Sequence, residues 1–224
     1  MKKLTNKQLL LFDLDGTLID SAPDLANALN LTLQQLGKRP FTLEVIRGWV
    51  GNGAQTLVHR ALSGSRSVDS SIDSNLIKTT LKTFLNIYEQ NLCNTTKLYD
   101  GVQETLQSLN EKYIMCVVTN KPHRFIQPIL ETLQIDQYFL DSIGGDFLET
   151  KKPDPDQLLY ITNKHQYQLD NCVMIGDSKN DIFAARNCDM TSIAVTYGYN
   201  YDQPVSDFNP DYIVNTFKEI NTLL

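Results

Sequence analysis

The sequence lacks the features that mark disulfide-rich, membrane-spanning or nucleic-acid-binding proteins. Its 224 residues include only four cysteines and three histidines, scattered without a CxxC pair, which argues against a disulfide framework and against a zinc cluster. No apolar run approaches the roughly 20 residues that a membrane-spanning helix needs. The net charge of −6 argues against the basic surface that general nucleic-acid binding requires.

The amino-terminal segment also lacks the signals that direct export. MKKLTNKQLLLF has a basic start but neither a full hydrophobic region nor a small-residue cleavage site, so we expect no signal peptide and a cytoplasmic protein with reduced cysteines. We expect no membrane and no nucleic-acid partner, and a monomer or a homodimer. A small anionic ligand remains compatible with the charge, because it needs only local positive groups.

Short apolar runs that end in turn residues predict the strands of a parallel sheet. The runs are apolar throughout rather than alternating, as expected for strands covered on both faces. They lie at 9–12, 113–118, 142–145, 172–175, 192–195 and 212–214. Because helical patterns separate them, we predict an α/β fold with a doubly wound, Rossmann-like parallel sheet.

The alternation of strands and helices breaks after the first strand. Residues 20–95 contain helical stripes and a Ser-rich loop at 63–74, and Ser21 and Asp24 have the spacing of a helix capping box. We therefore predict a small helical cap domain at 20–95, inserted into a catalytic core formed by 1–19 and 96–224. Its hinges are expected near 17–21 and 94–100.

Two acids follow the first predicted strand directly. Asp13 and Asp15 project to the same side of an extended chain, and Gly16 permits a tight turn after them. Ligands in open α/β sheets bind beyond the carboxyl ends of strands, and two close carboxylates repel each other unless a cation or a proton intervenes. A solvated acidic turn would also explain the pair. A calcium loop of EF-hand type fits poorly, because its glycine belongs at position 6 after a helix.

Other predicted strands also end in polar residues. Thr119 and Asn120 follow the second strand, Asp177 and Asp181 follow a later one, and Lys152 precedes a proline. Each signal is common when taken alone. In this order, and each in a strand–loop context, they are far more specific.

The four signals together resemble the motifs of phosphatases in the haloacid dehalogenase superfamily. They are DLDGT at 13–17, TN at 119–120, KKP at 151–153 and GDSKND at 176–181. The resemblance covers essentially the whole chain and implies the same core with a cap between the first and second motifs. It implies that Asp13 is a nucleophile forming an aspartyl-phosphate, and that Asp15 acts first as general acid and then as general base.

The resemblance also implies roles for the remaining motif residues. Thr119, Asn120 and Lys152 would bind the phosphoryl group. Asp181 would orient its neighbours rather than bind metal. A Mg²⁺ ion would be held by oxygens of Asp13, Asp15 and Asp177, the Asp15 ligand being its backbone carbonyl.

The most distinctive part of the cap is RGWVGNGAQTLVHRAL at 47–62. Gly51, Asn52 and Gly53 permit a turn with exposed N–H groups, and Arg47 and Arg60 flank it, so we predict that these five residues bind an anionic substrate. A helix–turn–helix with surface arginines would explain the same pattern.

The R-x-W-V-G-N-G pattern and TNKP at 119–122 are similar to bacterial phosphoglycolate phosphatases. This resemblance implies hydrolysis of 2-phosphoglycolate to glycolate and phosphate.

Other functions remain open on the sequence. The core motifs also suit a phosphatase for another small ester, such as a nucleotide, a sugar phosphate or pyrophosphate, and a β-phosphoglucomutase-type phosphotransferase. The second acid, Asp15, argues against a dehalogenase, because a halide leaving group needs no proton. A non-catalytic binding module is disfavoured by the presence of every polar catalytic position.

Overall fold

The computed structural model describes residues 3–201 and 203–224. Its strands in chain order are β1 Leu9–Phe12, β2 Ile19–Asp20, β3 Lys97–Leu98, β4 Ile114–Val118, β5 Asp141–Ile143, β6 Cys172–Gly176, β7 Thr191–Val195 and β8 Tyr212–Val214. Six of them form one parallel sheet in the order β5-β4-β1-β6-β7-β8. The predicted doubly wound α/β fold is confirmed.

Both faces of the sheet are covered, which explains the uniformly apolar strands. In β1, Leu10 and Phe12 pack into one hydrophobic cluster, whereas Leu9 and Leu11 pack into another on the opposite face. All four side chains are fully buried. A strand whose residues alternate between apolar and polar has one face in contact with solvent. Neither face of β1 is, so its residues are apolar throughout.

Nine helices are defined among the described residues. Four lie between β2 and β3: α1 Ala22–Gln35, α2 Leu43–Arg47, α3 Ala54–Ser63 and α4 Ser74–Glu89. The other five are α5 Val102–Asn110, α6 Ile126–Thr132, α7 Asp156–Lys164, α8 Lys179–Arg186 and α9 Ile220–Leu223. Within the described ranges, no helix combines the length and the apolar character that crossing a bilayer requires.

The insertion at 20–95 is joined to the rest of the chain by a short two-stranded ribbon that the sequence did not reveal. Strands β2 and β3 pair antiparallel, with Ile19 opposite Leu98 and Asp20 opposite Lys97. They lie in the two segments expected to act as hinges. The division into a core (1–19 and 96–224) and a cap (20–95) remains our proposal.

The capping box predicted at Ser21 and Asp24 is wrong. Ser21 makes no side-chain capping bond to α1 and instead donates to the carboxylate of Asp15. The Asp24 carboxylate accepts hydrogen bonds from the backbone N–H groups and hydroxyls of Thr95 and Thr96, at 2.6–3.0 Å. Asp24 therefore ties α1 to the segment that leaves the insertion.

Candidate active site

The carboxyl ends of β1, β4 and β6 meet at one edge of the sheet. In the register of the sheet, Phe12 lies opposite both Val117 and Ile175, so the residues that follow these strands converge. They line a cavity that the insertion covers from the other side. The structure brings these predicted site residues together there: Asp13, Asp15, Thr119, Asn120, Lys152, Asp177 and Asp181.

Lys152 links two of the acids at the base of the cavity. Its Nζ donates to Asp13 Oδ1 at 2.8 Å, to Asp181 Oδ1 at 2.6 Å and to the carbonyl of Val118 at 2.6 Å. Burial alone would lower the pKa of Lys152, but the two carboxylates raise it above its ordinary value. The buried ammonium therefore stays charged and uses all three of its protons.

Asp177 approaches the first acid from the end of β6. Its Oδ1 accepts from the Thr17 hydroxyl at 3.0 Å, and its Oδ2 accepts from the backbone N–H of Tyr199 at 2.5 Å. Gly16, at φ +95°, makes this approach possible, because a Cβ there would lie 2.3 Å from Asp177 Oδ2. The glycine after the paired acids thus leaves room for a third acid.

The acidic cluster fits a hard divalent cation. Carboxylate oxygens of Asp13, Asp177 and Asp181 lie within 4.8 Å of one another, and all three residues are buried. Burial, with repulsion from neighbouring carboxylates, raises the pKa of Asp13 to about 6 and raises that of Asp177 well above its usual range. A bound cation would relieve this repulsion, and carboxylate oxygens are ligands that Mg²⁺ prefers.

Asp181 accepts three hydrogen bonds within the protein. Its Oδ1 accepts from Lys152, while its Oδ2 accepts from the backbone N–H and hydroxyl of Ser178 at 3.0 and 2.8 Å. Together with Ser178 it forms the capping box that begins α8. This geometry suits a positioning role better than metal ligation.

Asp15 is paired with Lys121, a residue that the sequence reasoning missed. The Lys121 Nζ lies 2.9 Å from Asp15 Oδ1 and 3.1 Å from Asp15 Oδ2, and the lysine is only 4% exposed. Burial alone would lower the pKa of Lys121, but Asp15 raises it above its ordinary value. The available signal was the position of this lysine directly after Thr119 and Asn120, at a strand end.

Tyr88 brings a polar group from α4 into the same cavity. The residue is 1% exposed, and no described residue forms a hydrogen bond with its hydroxyl. Lys121 Nζ lies 4.8 Å from the centroid of its ring. The sequence identified Tyr88 only as part of the apolar stripe of α4.

The loop formed by Gly51, Asn52 and Gly53, which we call the glycine loop, contacts the core through a carbonyl group rather than through N–H groups. The Gly51 carbonyl accepts from the side-chain amides of Asn120 and Asn180, both at 3.0 Å. Gly51, at φ +117°, has no room for a Cβ, which would lie 2.6 Å from the Tyr201 hydroxyl. Gly51 and Gly53 line the cavity, whereas Asn52 does not.

The structure does not bring Arg47 and Arg60 into this cavity. Arg47 donates to Asp20 Oδ2 at 3.0 Å and stacks over the ring of Tyr199. Arg60 donates to the carbonyl of Trp49 at 2.5 Å and to Asn52 Oδ1 at 2.9 Å. Both guanidinium groups are used to hold parts of the protein together, so the expected arginine clamp has no geometric support.

A buried glutamine also supports the site. Gln157 donates to the carbonyls of Thr119 and Gly144 at 3.0 and 2.9 Å, and accepts from the backbone N–H of Lys152 at 3.2 Å. Gln157 thereby joins the ends of β4 and β5 to the loop that contains Lys152. No local pattern distinguishes it, because its partners are distant in sequence.

Comparison with known proteins agrees with this geometry. Residues 10–195 match the profile of the haloacid dehalogenase-like hydrolases. The chain is 50% identical to the phosphoglycolate phosphatase of Colwellia psychrerythraea, over 97% of each chain. It is 39% identical to that of Haemophilus influenzae strain 86-028NP, over 98% of this chain and 99% of that one.

A solved structure has the same fold. The crystal structure of a predicted phosphoglycolate phosphatase from Haemophilus somnus superposes with a TM-score of 0.90 at 36% identity, over 98% of each chain. The resemblance seen in the four motifs is therefore confirmed, and the chain belongs to the haloacid dehalogenase-like hydrolase family.

Proposed function

We propose that this hydrolase is a Mg²⁺-dependent phosphatase that converts 2-phosphoglycolate to glycolate and phosphate. The observation that carries the proposal is the pairing of Asp13 with Lys152, with Asp15 at the wall of the same cavity. The substrate is suggested by relatives of nearly equal length that bear the name phosphoglycolate phosphatase.

Asp13 is the nucleophile in this proposal. Its carboxylate attacks phosphorus, the bond between phosphorus and the ester oxygen breaks, and an aspartyl-phosphate forms. Asp15 donates a proton to the departing oxygen of glycolate. It then removes a proton from the water that attacks the aspartyl-phosphate, which releases phosphate and restores both acids.

Lys152 and Thr119 stabilise the phosphoryl group. The Lys152 ammonium lies 2.8 Å from Asp13 Oδ1 and offsets charge that develops between nucleophile and phosphate. The Thr119 hydroxyl accepts from the N–H of Lys121 at 3.2 Å, which leaves its own proton for a phosphate oxygen. Asn120 donates to the carbonyls of Gly51 and Lys152, so we assign its side chain to holding the loop over the phosphate.

Mg²⁺ would be held by Asp13, the backbone carbonyl of Asp15 and Asp177, with Asp181 positioning Lys152. When bound, it would neutralise phosphate charge that the carboxylates would otherwise repel. This assignment is supported by the buried acids and by the raised pKa values of Asp13 and Asp177.

We also propose a cytoplasmic location, and a monomer or homodimer that acts on a small free ester. In the described structure the four cysteines are free, and Cys116, Cys172 and Cys188 are buried. This agrees with reduced thiols in a cytoplasmic protein.

A panel of phosphate esters tests the function. The purified protein is assayed with Mg²⁺ on 2-phosphoglycolate, nucleotides, sugar phosphates and pyrophosphate, and the substrates are ranked by kcat/KM. We expect 2-phosphoglycolate to rank first and an Asp13→Asn variant to release no phosphate above background. A nucleotide, a sugar phosphate or pyrophosphate at the top of the ranking would refute 2-phosphoglycolate as the substrate. Full activity of Asp13→Asn would refute the mechanism.

A further inference from the structure

We propose that Lys121 and Tyr88 form a clamp for the carboxylate of the substrate. The pair would select a phosphate ester that carries a carboxylate one carbon from its ester oxygen. This inference rests on the proposed function and assigns to these two residues the role that the sequence suggested for Arg47 and Arg60.

The short length of the substrate fixes where such a clamp must lie. In 2-phosphoglycolate the carboxylate carbon is two single bonds from the ester oxygen, a separation of about 2.4 Å. Asp15 must come within about 3 Å of that ester oxygen to protonate it. The carboxylate therefore has to be bound next to Asp15, and Lys121 Nζ lies 2.9 Å from Asp15 Oδ1.

Lys121 is the positively charged side chain in the cavity that can still donate a hydrogen bond to a ligand. Among the described residues that line the cavity, the positively charged side chains are Lys121 and Lys152. The three protons of Lys152 are committed to Asp13, Asp181 and the Val118 carbonyl. Lys121 donates only to the carboxylate of Asp15 among the described side chains, so it can bridge Asp15 and a substrate carboxylate.

Tyr88 supplies a second donor in the same cavity, where its ring centroid lies 4.8 Å from the Lys121 ammonium. Burial raises the pKa of Tyr88 to about 12, which keeps the hydroxyl protonated. The hydroxyl is buried without a hydrogen-bond partner among the described residues, a state that costs free energy until a ligand satisfies it. A carboxylate accepting from Lys121 and Tyr88 would satisfy both groups.

The surrounding wall makes this clamp selective. Leu25, Leu57 and Phe84 line the same cavity. Apolar walls weaken screening and strengthen the attraction between an ammonium and a carboxylate. A site built to hydrogen-bond one group rejects a ligand that lacks it, because the site's own polar groups are then left unpaired.

The test compares two esters that differ only in the group bound by the clamp. Ethyl phosphate carries a methyl group where 2-phosphoglycolate carries a carboxylate. For each enzyme, kcat and KM are measured with both esters in Mg²⁺, and the ratio of the two kcat/KM values is the readout. This ratio cancels any general effect on the chemical step.

Three variants define the expected result. Lys121→Met should lower the ratio by about 100-fold and Tyr88→Phe by about 10-fold, mostly through KM for 2-phosphoglycolate. Tyr99→Phe is the matched control, because its buried hydroxyl is also without a partner in the described structure but lies outside this cavity. It should keep the wild-type ratio.

A binding measurement separates recognition from chemistry. Calorimetry on the Mg²⁺-loaded enzyme compares 3-phosphonopropionate with propylphosphonate, non-hydrolysable analogues of the two esters. We expect the wild type to prefer the carboxylate, and Lys121→Met and Tyr88→Phe to reduce that preference.

The outcomes distinguish the clamp from the proposed function. Ratios and binding preferences that stay at wild-type values in Lys121→Met and Tyr88→Phe would overturn the clamp alone. A wild-type enzyme that does not prefer 2-phosphoglycolate to ethyl phosphate would overturn the proposed substrate and the clamp with it.

Discussion

Each acid of the DLD sequence has its own buried lysine. Lys152 bonds Asp13, and Lys121 bonds Asp15, with both lysine side chains at most 2% exposed. Removing one partner of a buried ion pair leaves the other charge buried and unpaired. The free-energy cost of that unpaired charge exceeds the stabilisation that the intact pair provides. Each lysine is therefore tied to both the stability and the chemistry of the site.

Replacing Lys152 by methionine should lower both turnover and stability. We expect kcat on 2-phosphoglycolate to fall by about 10²–10³-fold, because charge developing at phosphorus loses its stabilising cation. Without the ammonium, Asp13 and Asp181 face each other unpaired, which should cost about 3–5 kcal/mol in the free energy of unfolding. Steady-state kinetics and urea denaturation measure the two effects.

Lys151→Met is the control for that variant, since Lys151 precedes Lys152 but does not line the cavity. It should retain near-wild-type turnover. If the two methionine variants lose activity to the same extent, the specific role of Lys152 is contradicted.

Mg²⁺ should stabilise the protein through Asp177. A cation bound only by the folded state raises its stability, by about 2.7 kcal/mol at a concentration 100 times Kd. We expect Mg²⁺ to raise the Tm of the wild type and to have little effect on Asp177→Asn. In chelator, Asp177→Asn should be at least as stable as the wild type, because repulsion at this raised-pKa group is removed.

Thermal scans with and without Mg²⁺ measure these shifts. Asp100→Asn, at an exposed acid, should retain the wild-type response. An equal response of the wild type and Asp177→Asn to Mg²⁺ would remove Asp177 from the metal site.

At the scale of elements, Asp24 fastens the first helix to the end of the insertion. Its carboxylate accepts bonds from Thr95 and Thr96, which lie 71 and 72 residues away. Although burial alone would raise the pKa of Asp24, these hydrogen bonds hold it below its usual value. A charge-assisted link of this kind holds the two ends of the insertion together.

The depressed pKa of Asp24 predicts how its contribution depends on pH. A carboxyl whose pKa is lower in the folded state stabilises above its unfolded pKa of 3.8, and loses that contribution as pH falls through the folded value. We expect Asp24→Asn to lose about 1–3 kcal/mol at pH 7. Its difference from the wild type should be constant above about pH 5 and shrink below the unfolded pKa.

Urea denaturation at several pH values measures this difference. Asp73→Asn, which alters the exposed cap of α4, serves as the comparison for a local carboxylate contact. If the difference in the free energy of unfolding between Asp24→Asn and the wild type became larger at acid pH, the stabilising role of the ionised Asp24 carboxylate would be contradicted.

The elements that the sequence predicted are those with a repeated pattern. Strand β1, which begins at Leu9, could be predicted because both of its faces are buried and its residues are therefore apolar throughout. The ribbon of β2 and β3 has two residues in each strand, too few to show periodicity. The roles of Ser21 and Asp24 were misread because their partners lie elsewhere in the chain, whereas a capping box is a local pattern.

At the scale of the whole molecule, the site is enclosed by contacts between distant segments. The motif acids could be placed in advance because parallel strands end at one edge of a sheet. The partners of Lys121 and Gln157 could not be predicted from the sequence, because Lys121 lies 106 residues from Asp15 and Gln157 lies 38 residues from Thr119. Such pairs depend on how segments that follow different strands meet at the edge of the sheet.

The Tyr201 hydroxyl is the centre of one such contact. It accepts from the side-chain amide of Asn180 at 3.1 Å and donates to Asn52 Oδ1 at 2.7 Å. Asn180 also donates to the Gly51 carbonyl. The glycine loop that covers the cavity is therefore held to the start of α8 and to the segment that follows β7.

Removing that hydroxyl should loosen the loop without changing the reacting groups. We expect Tyr201→Phe to raise KM for 2-phosphoglycolate by about 3- to 10-fold, the loss of one or two hydrogen bonds, with a smaller change in kcat. Amide hydrogen exchange in residues 49–54 should become faster, because the closed loop is less favoured. Tyr99→Phe, which removes a hydroxyl that these contacts do not use, is the reference. Unchanged exchange in 49–54 together with an unchanged KM would show that the loop is held by other contacts.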